Sequence, residues 1–246
     1  MPMIYLSPST QDGNPYVTGS GSEERNMNLL ADAMVPYLLS NGIRYRRNTT
    51  DMTAADSIRQ ANRGNYDLYL ALQSNSAGEG RGGEERGITA FYSPDSAEGK
   101  RAAGTFARNL RDIYPLTDKV TAQGITTLSE VSQPLSPAVL IKLGYHDNYS
   151  DAAWEESHSD EIAQNLVLSL TQFLGLPFIW PVTPFDSTAD APDGRLNLRN
   201  YPSSAGTVLT GVPNGATVRV YGKWQGWYVV SYQDFLGYAA SAYLRP

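Results

Sequence analysis

The chain has 246 residues, 41% of them hydrophobic, which suffices for one medium domain and a small one. Its formal net charge is −6 and its 19 lysines and arginines are scattered, which excludes the continuous cationic face of a nucleic-acid groove. Cysteine is absent, so disulfides, thiolate zinc sites and cysteine nucleophiles are excluded, while the redox compartment stays open.

Near the start, Ile4, Tyr5 and Leu6 precede Ser7-Pro8 without a basic leader, so no signal peptide is read there. No apolar run approaches the ~18 to 20 residues that span a bilayer. Residues 4–6 predict a first strand. Met27, Leu30, Ala31, Met34, Val35 and Leu38 then mark one face of a helix that Asn41-Gly42 stops. Ser20 and Glu23 have the spacing of a capping box at its start, and Pro36 predicts a kink or an early end.

Residues 68–72 and 138–141 are almost unbroken apolar runs, the pattern of central strands buried on both faces. With the intervening helix-period segments they predict an α/β domain, a mostly parallel sheet flanked by helices. Ligands of such sheets sit beyond the carboxyl ends of the strands, which is where Gln73, Asn75 and Lys142 fall. Residues 78–87, Gly-Glu-Gly-Arg-Gly-Gly-Glu-Glu-Arg-Gly, read as a mobile loop. Their alternating charges and the missing strand-loop-helix context argue against a phosphate cradle. Residues 97–114 and 151–174 read as amphipathic helices, the second carrying Ile162, Leu166, Leu170 and Phe173 on one side. No Gly-x-Ser-x-Gly elbow occurs.

Spaced prolines across 176–193 forbid a helix and predict an extended connector. The expected division is therefore a first domain over 1–176, a linker over 177–193 and a second domain over 194–246. The linker's Phe178, Ile179, Trp180 and Phe185 are apolar enough to be expected along a domain surface. Downstream, β-rich runs at 217–221 and 227–232 are broken by Pro213-Asn214-Gly215, Gly222 and Gly226, which predicts a small all-β barrel. So thin a core needs aromatic area from Tyr221, Trp224, Trp227, Tyr228, Tyr232, Phe235 and Tyr238.

Several spaced pieces of the first domain carry a resemblance. They are Ile4-Tyr5-Leu6-Ser7-Pro8, Ser22-Glu23-Glu24 at a helix start, Ala61-Asn62 before Asp67, the segment 67–75 (Asp-Leu-Tyr-Leu-Ala-Leu-Gln-Ser-Asn), 87–92, and 137–148 from Pro137 through Gly144-Tyr145-His146-Asp147-Asn148. Over roughly 4–176 the chain resembles the zinc-dependent N-acetylmuramoyl-L-alanine amidases, which cleave the bond between glycan and stem peptide in peptidoglycan. The tail, with Leu196-Asn197-Leu198-Arg199, Pro202, Gly226-Trp227-Tyr228, Gly237-Tyr238 and Tyr243-Leu244, is similar to the bacterial SH3-like cell-wall-targeting modules.

In that family two histidines and a glutamate hold zinc, and a second glutamate at the end of a late strand assists catalysis. The resemblance carries these roles to Thr10, Gln73, Glu24 and Lys142, so of the four only the metal-binding Glu24 keeps its type. Zinc needs about three nitrogen, sulfur or carboxylate ligands and an open position for water, so no zinc cofactor is expected. Lys142 repels a dication, and holding it neutral at pH 7 costs about 4 to 5 kcal/mol. It also removes the base that would activate water. Two arrangements then stand side by side: Lys142 paired with Glu24 in the zinc's place, or both as solvated rim residues. His146, after Gly144-Tyr145, is a candidate ligand contact, and a relocated metal site from His146, His158 and Glu23 or Glu24 is the alternative. Asn75 and Asn148 match family positions as hydrogen-bonding groups that shape the pocket.

The expectation is a catalytically degenerate amidase-like protein that binds peptidoglycan or another wall polymer. The alternatives are an active hydrolase with a relocated or unrecognised site, and an adaptor that reuses the fold with a protein partner. A wall-associated or extracellular place follows from the resemblance. Residues 190–246 hold five Lys and Arg against three Asp, a net of +2 that leaves −8 for the rest, and this sign suits anionic wall polymers. Trp224 and Tyr228 are the candidate sugar or peptide contacts, with Trp227 expected in the core.

Overall fold

The structure, a computed structural model, describes residues 1–245. In chain order the elements are β1 (Met3–Pro8), α1 (Glu23–Ser40), β2 (Arg44–Arg47), α2 (Ala54–Ala61), β3 (Leu68–Asn75), β4 (Ile88–Tyr92), α3 (Ala97–Leu110), β5 (Val120–Gly124), α4 (Ser129–Ser132), β6 (Ala138–Tyr145), α5 (Tyr149–Ser157) and α6 (Ser159–Leu174). Then follow β7 (Pro181–Ala189), β8 (Arg195–Arg199), β9 (Val208–Pro213), β10 (Thr217–Trp224), β11 (Trp227–Tyr232), β12 (Phe235–Ala240) and β13 (Leu244–Arg245). Chain contacts divide into two compact units. One holds Met3–Met34 and Tyr45–Leu174; the other holds Met1–Pro2, Val35–Arg44 and the chain from Gly175 onward.

The larger unit is built on a six-stranded sheet of order β2-β1-β3-β6-β4-β5. β1 with β3, β3 with β6, and β4 with β5 run parallel, while β4 lies antiparallel to β6. The two apolar runs are the central strands, with Leu68, Leu70, Leu72, Val139, Leu140 and Ile141 fully buried. On one side Tyr5 stacks on Tyr69 at 5.4 Å, and both pack with Ile58 and Leu140 beneath α2. The sheet with flanking helices is the expected fold class.

Helix details differ from the sequence reading. α1 begins at Glu23, and its early N–H groups meet Ser22 instead of Ser20: Arg25 N–H donates to Ser22 Oγ at 3.3 Å. Pro36 stays inside α1 because the ring and Asp32, whose carbonyl loses its donor, both lie on the exposed face, where water replaces the bond. The expected single helix over 151–174 is two helices. His158, at φ −117°, ψ 19°, leaves helical geometry between α5 and α6, and its Nδ1 lies 3.0 Å from Trp154 O. Of the stretch 97–114, residues Ala97–Leu110 are α-helical.

The smaller unit contains a seven-stranded sheet of order β13-β7-β10-β11-β12-β8-β9, antiparallel throughout its pairings. Leu198, Val212, Val220, Val230 and Ala239 form its fully buried centre. Gln225 (φ 43°) and Gly226 (φ 82°) close the β10–β11 hairpin with Trp224 opposite Trp227, the positive φ pair that a tight hairpin requires. The 177–193 linker reading is corrected: Pro181–Ala189 is β7, paired with β10 and β13. Of its apolar residues Ile179 is buried, with its N–H on Asn41 Oδ1 (2.6 Å) and its carbonyl on Asn41 Nδ2 (3.0 Å), whereas Trp180 is exposed. Among the described residues no helix is long and apolar enough to cross a membrane.

Candidate functional site

β1 and β3 end side by side, with Ser9 N–H donating to Leu72 O at 2.8 Å, and beyond these ends lies a crevice of about 280 Å³. Thr10 and Gln73 line it together, as their places in the sequence imply, and so does Glu130 of α4. Gln73 Nε2 donates to Glu130 Oε1 at 2.9 Å, and Ser129 Oγ donates to Glu130 Oε2 at 2.9 Å. Lys142 is the register partner of Gln73 on β6, and its Nζ donates to Asn75 Oδ1 at 3.2 Å. The expected Lys142–Glu24 pair does not form: no ion pair joins the two among the described residues. Glu24 is a half-buried residue in the first turn of α1, with its N–H directed at Gln11 O (3.3 Å). Its neighbour Glu23, about 100° round the helix, takes the interior position instead.

Ser74 points to the other face of β3 and meets that buried acid. Ser74 N–H donates to Glu23 Oε1 (3.3 Å) and Asn14 Nδ2 to Glu23 Oε2 (2.8 Å). His146, 8% exposed, has Nδ1 2.9 Å from Ser74 Oγ and 4.0 Å from Glu23 Oε2, with its ring stacked on Tyr16 at 6.0 Å. Tyr16 in turn donates to Glu155 Oε2 at 2.6 Å. Burial holds the Glu155 carboxyl well above its ordinary value, and the Asp151, Glu23 and Glu156 charges add to this against the Tyr16 hydrogen bond. Burial, then the Glu155 charge, likewise pushes the Tyr16 hydroxyl up. His146 is thus enclosed in a polar cluster. His158 is engaged with Trp154 and Ser157, away from it. Among the described residues no group of three or more His, Cys, Asp or Glu is placed to hold a metal ion.

Asn148 also has a structural job. It caps α5, accepting from Ser150 N–H (3.0 Å) and Asp151 N–H (3.3 Å), and its Nδ2 donates to Gly83 O (2.8 Å), so its amide is used on both sides. That last bond belongs to a set that ties the segment 77–87 to the start of α5. Asp147 Oδ2 accepts from Ala77 N–H (2.8 Å), Arg86 Nε donates to Asp151 Oδ1 (2.7 Å), and Gly87 N–H to Asp151 Oδ2 (3.0 Å). Asp151 is fully buried and also accepts from the Tyr114 hydroxyl at 2.6 Å.

In the smaller unit a groove of about 270 Å³ is lined by Asp193, Arg195, Asn197, Arg199, Trp227 and Tyr243, among others. Trp227, expected in the core, is half-buried and faces this groove. The expected contacts lie elsewhere. Trp224 packs on the cluster around Ile179 and Val229, and Tyr228 covers the centre of the sheet, edge-on to Phe185 at 6.2 Å with the Lys223 ammonium 5.3 Å from its ring. Sequence reasoning missed Glu130, and named Glu23 only as a capping-box residue and as one alternative in a relocated metal site. Glu130 sits on a helix of four residues with no motif, and which of Glu23 and Glu24 turns inward is not set by their place at a helix start.

Comparison with known proteins bears on the family and the fold. Residues 8–172 match the N-acetylmuramoyl-L-alanine amidase family, and residues 194–245 match the bacterial SH3 domain. Three solved structures share the fold. The catalytic domain of CwlV, an N-acetylmuramoyl-L-alanine amidase from Bacillus (Paenibacillus) polymyxa var. colistinus, is 16% identical with a TM-score of 0.62, covering 72% of this chain and 100% of that one. An N-acetylmuramoyl-L-alanine amidase from Clostridium difficile 630 is 17% identical with a TM-score of 0.62, covering 71% and 97%. The CwlD amidase from Clostridioides difficile, solved with the GerS lipoprotein, is 15% identical with a TM-score of 0.62, covering 71% and 99%. No curated protein matches the chain. By the match over 8–172, the chain belongs to the N-acetylmuramoyl-L-alanine amidase family, with a bacterial SH3 domain over 194–245.

Proposed function

We propose that this protein is a catalytically silent member of the amidase family that binds peptidoglycan or another wall polymer without cleaving it. The hydrogen bond from Gln73 to Glu130 carries this reading. At the position where the family resemblance implies a zinc-binding imidazole, an amide nitrogen is committed to a carboxylate, and an amide N–H is a donor that cannot ligate a cation. Thr10 offers a hydroxyl and Lys142 an ammonium, so the donors present do not fit zinc, and an ammonium at position 142 cannot take a proton from water as the family's carboxylate would.

A relocated hydrolytic centre would draw on Ser74, His146 and Glu23. Nucleophile–base–acid relays need the hydroxyl on one imidazole nitrogen and the carboxylate on the other. Here Ser74 Oγ and Glu23 Oε2 both face Nδ1. That geometry favours a structural cluster over a relay. The groove of the SH3 domain supplies the wall contact in this reading, since Arg195 and Arg199 beside Trp227 and Tyr243 offer cationic and stacking surface to an anionic polymer or peptide.

Dye release from labelled peptidoglycan, with added zinc and with chelator, tests the proposal alongside co-sedimentation with insoluble wall. Retention in the pellet without release is the expected result. Chelator-sensitive release would overturn the silent-enzyme reading, and failure to pellet would overturn wall binding.

A further inference from the structure

The crevice beyond β1 and β3 is not simply a damaged metal site, because its lining has a consistent chemistry of its own. Glu130 is the one charged side chain among the described residues that line it, and it is half-buried. No ion pair reaches Glu130 among the described residues, for Lys142, the nearest cation along the strands by register, is engaged with Asn75. Gln73 spends its Nε2 on Glu130, which leaves Oε1 to accept. Asn48 spends its Nδ2 on Pro8 O at 3.0 Å, and its own Oδ1, in a residue 6% exposed, has no partner among the described residues. An unpaired carbonyl dipole beneath the floor adds negative potential that little water screens. Thr10 contributes a hydroxyl that accepts as readily as it donates.

From this set we propose that the crevice binds an organic ammonium group, the primary amine of a lysine-like side chain on a peptide. The inference rests on the wall-binding reading only for its natural source, since stem peptides are where such an amine would be presented. One carboxylate with neutral acceptors matches a monovalent cation with several N–H donors, whereas a divalent metal needs more anionic or imidazole ligands than are present. An anion is repelled by Glu130. Among the described residues no aromatic ring lines the crevice to stack on a sugar face. The volume, about 280 Å³, is at the lower end for ligand pockets and accommodates an aminoalkyl arm but not a glycan strand.

The test is a titration of the full chain followed by NMR, with Nα-acetyl-lysine methylamide as the ammonium probe and its Nε-acetylated counterpart as the neutral control. Saturable shifts of the Gln73 side-chain amide and of Thr10 are expected with the first probe and not with the second. In Glu130→Gln the apparent affinity should fall about tenfold or more, as expected for removal of a charge-assisted hydrogen bond. Equal response to both probes, an unchanged affinity in Glu130→Gln, or no crevice shifts up to the solubility limit would each overturn the proposal. The comparison of the two probes uses the unaltered chain, so it decides the matter even where Glu130→Gln does not fold. Co-sedimentation with wall, run in parallel, separates the two readings. Pelleting without a crevice response sinks the ammonium site and leaves wall binding standing, while a crevice response without pelleting does the reverse.

Discussion

Gln73 and Lys142 are register partners on adjacent parallel strands, yet the first is tied to Glu130 and the second to Asn75. Two neighbouring positions to which the family resemblance assigns roles around a dication thus have separate partners. Restoring the implied residues with Thr10→His, Gln73→His and Lys142→Glu should let the chain retain about one zinc through dialysis, with the two imidazoles and Glu24 as the implied ligands, the repelling ammonium removed and a position left open. The unaltered chain should retain none. Metal analysis of both proteins checks this, and equal zinc contents would contradict the assignment of these positions.

Asp151 is a fully buried acid in the larger unit. Its buried carboxylate receives Arg86, the Tyr114 hydroxyl and the Gly87 N–H. Asp151→Ala would leave a guanidinium and three further donors, the Tyr145 N–H among them, without their acceptor, so a loss of about 3 to 5 kcal/mol is expected in urea unfolding. Asp151→Asn keeps the shape and some acceptor capacity, and it should lose less.

Asn148→Ala removes an N-cap and the bond to Gly83 at once. The cap alone is worth about 1 to 2 kcal/mol. The variant should also exchange the amides of 78–87 faster than the unaltered chain, a signature that simple loss of helix stability would not confine to that loop. Hydrogen exchange read by mass spectrometry distinguishes the two.

Glu155 makes stability depend on pH. Burial raises its folded value well above the ordinary 4.5, so the folded state holds this proton where the unfolded state has released it. The contribution is complete below the ordinary value and is lost as pH rises from there through the folded value. In Glu155→Gln the fall in urea midpoint as pH rises above the ordinary carboxylate value should therefore be shallower than in the unaltered chain. Parallel slopes would show that the carboxyl is not the titrating group.

Much of this architecture could be read from the chain, and the failures have physical causes. Residues 68–72 and 138–141 were legible because strands buried on both faces must be apolar throughout. β2, Arg44-Tyr45-Arg46-Arg47, was not, because it is an edge strand that exposes alternate residues and carries three charges. β7 hid behind its prolines. Pro184 lies in the stretch where the β7–β10 register slips, so the missing N–H costs no ladder bond there. At the site, Thr10 and Gln73 were placed together correctly, because the ends of neighbouring strands fix them. The Lys142–Glu24 pairing failed because the partner of a long side chain depends on which of two successive glutamates faces inward, and sequence spacing does not set that.

The SH3 groove gives the last expectation. Arg195 is exposed at its edge, and its side chain crosses Gly211, where an added Cβ would lie 2.1 Å from Arg195 Cδ. Arg195→Glu reverses one charge at the groove without touching the buried centre of the sheet. If the groove meets an anionic wall polymer, this change should weaken co-sedimentation and flatten its dependence on salt, because fewer counterions are exchanged on binding. Trp227→Leu should weaken it by a different route, removing stacking area while leaving the salt dependence intact. Binding that is indifferent to both changes would move the wall contact away from this groove and onto another surface of the chain.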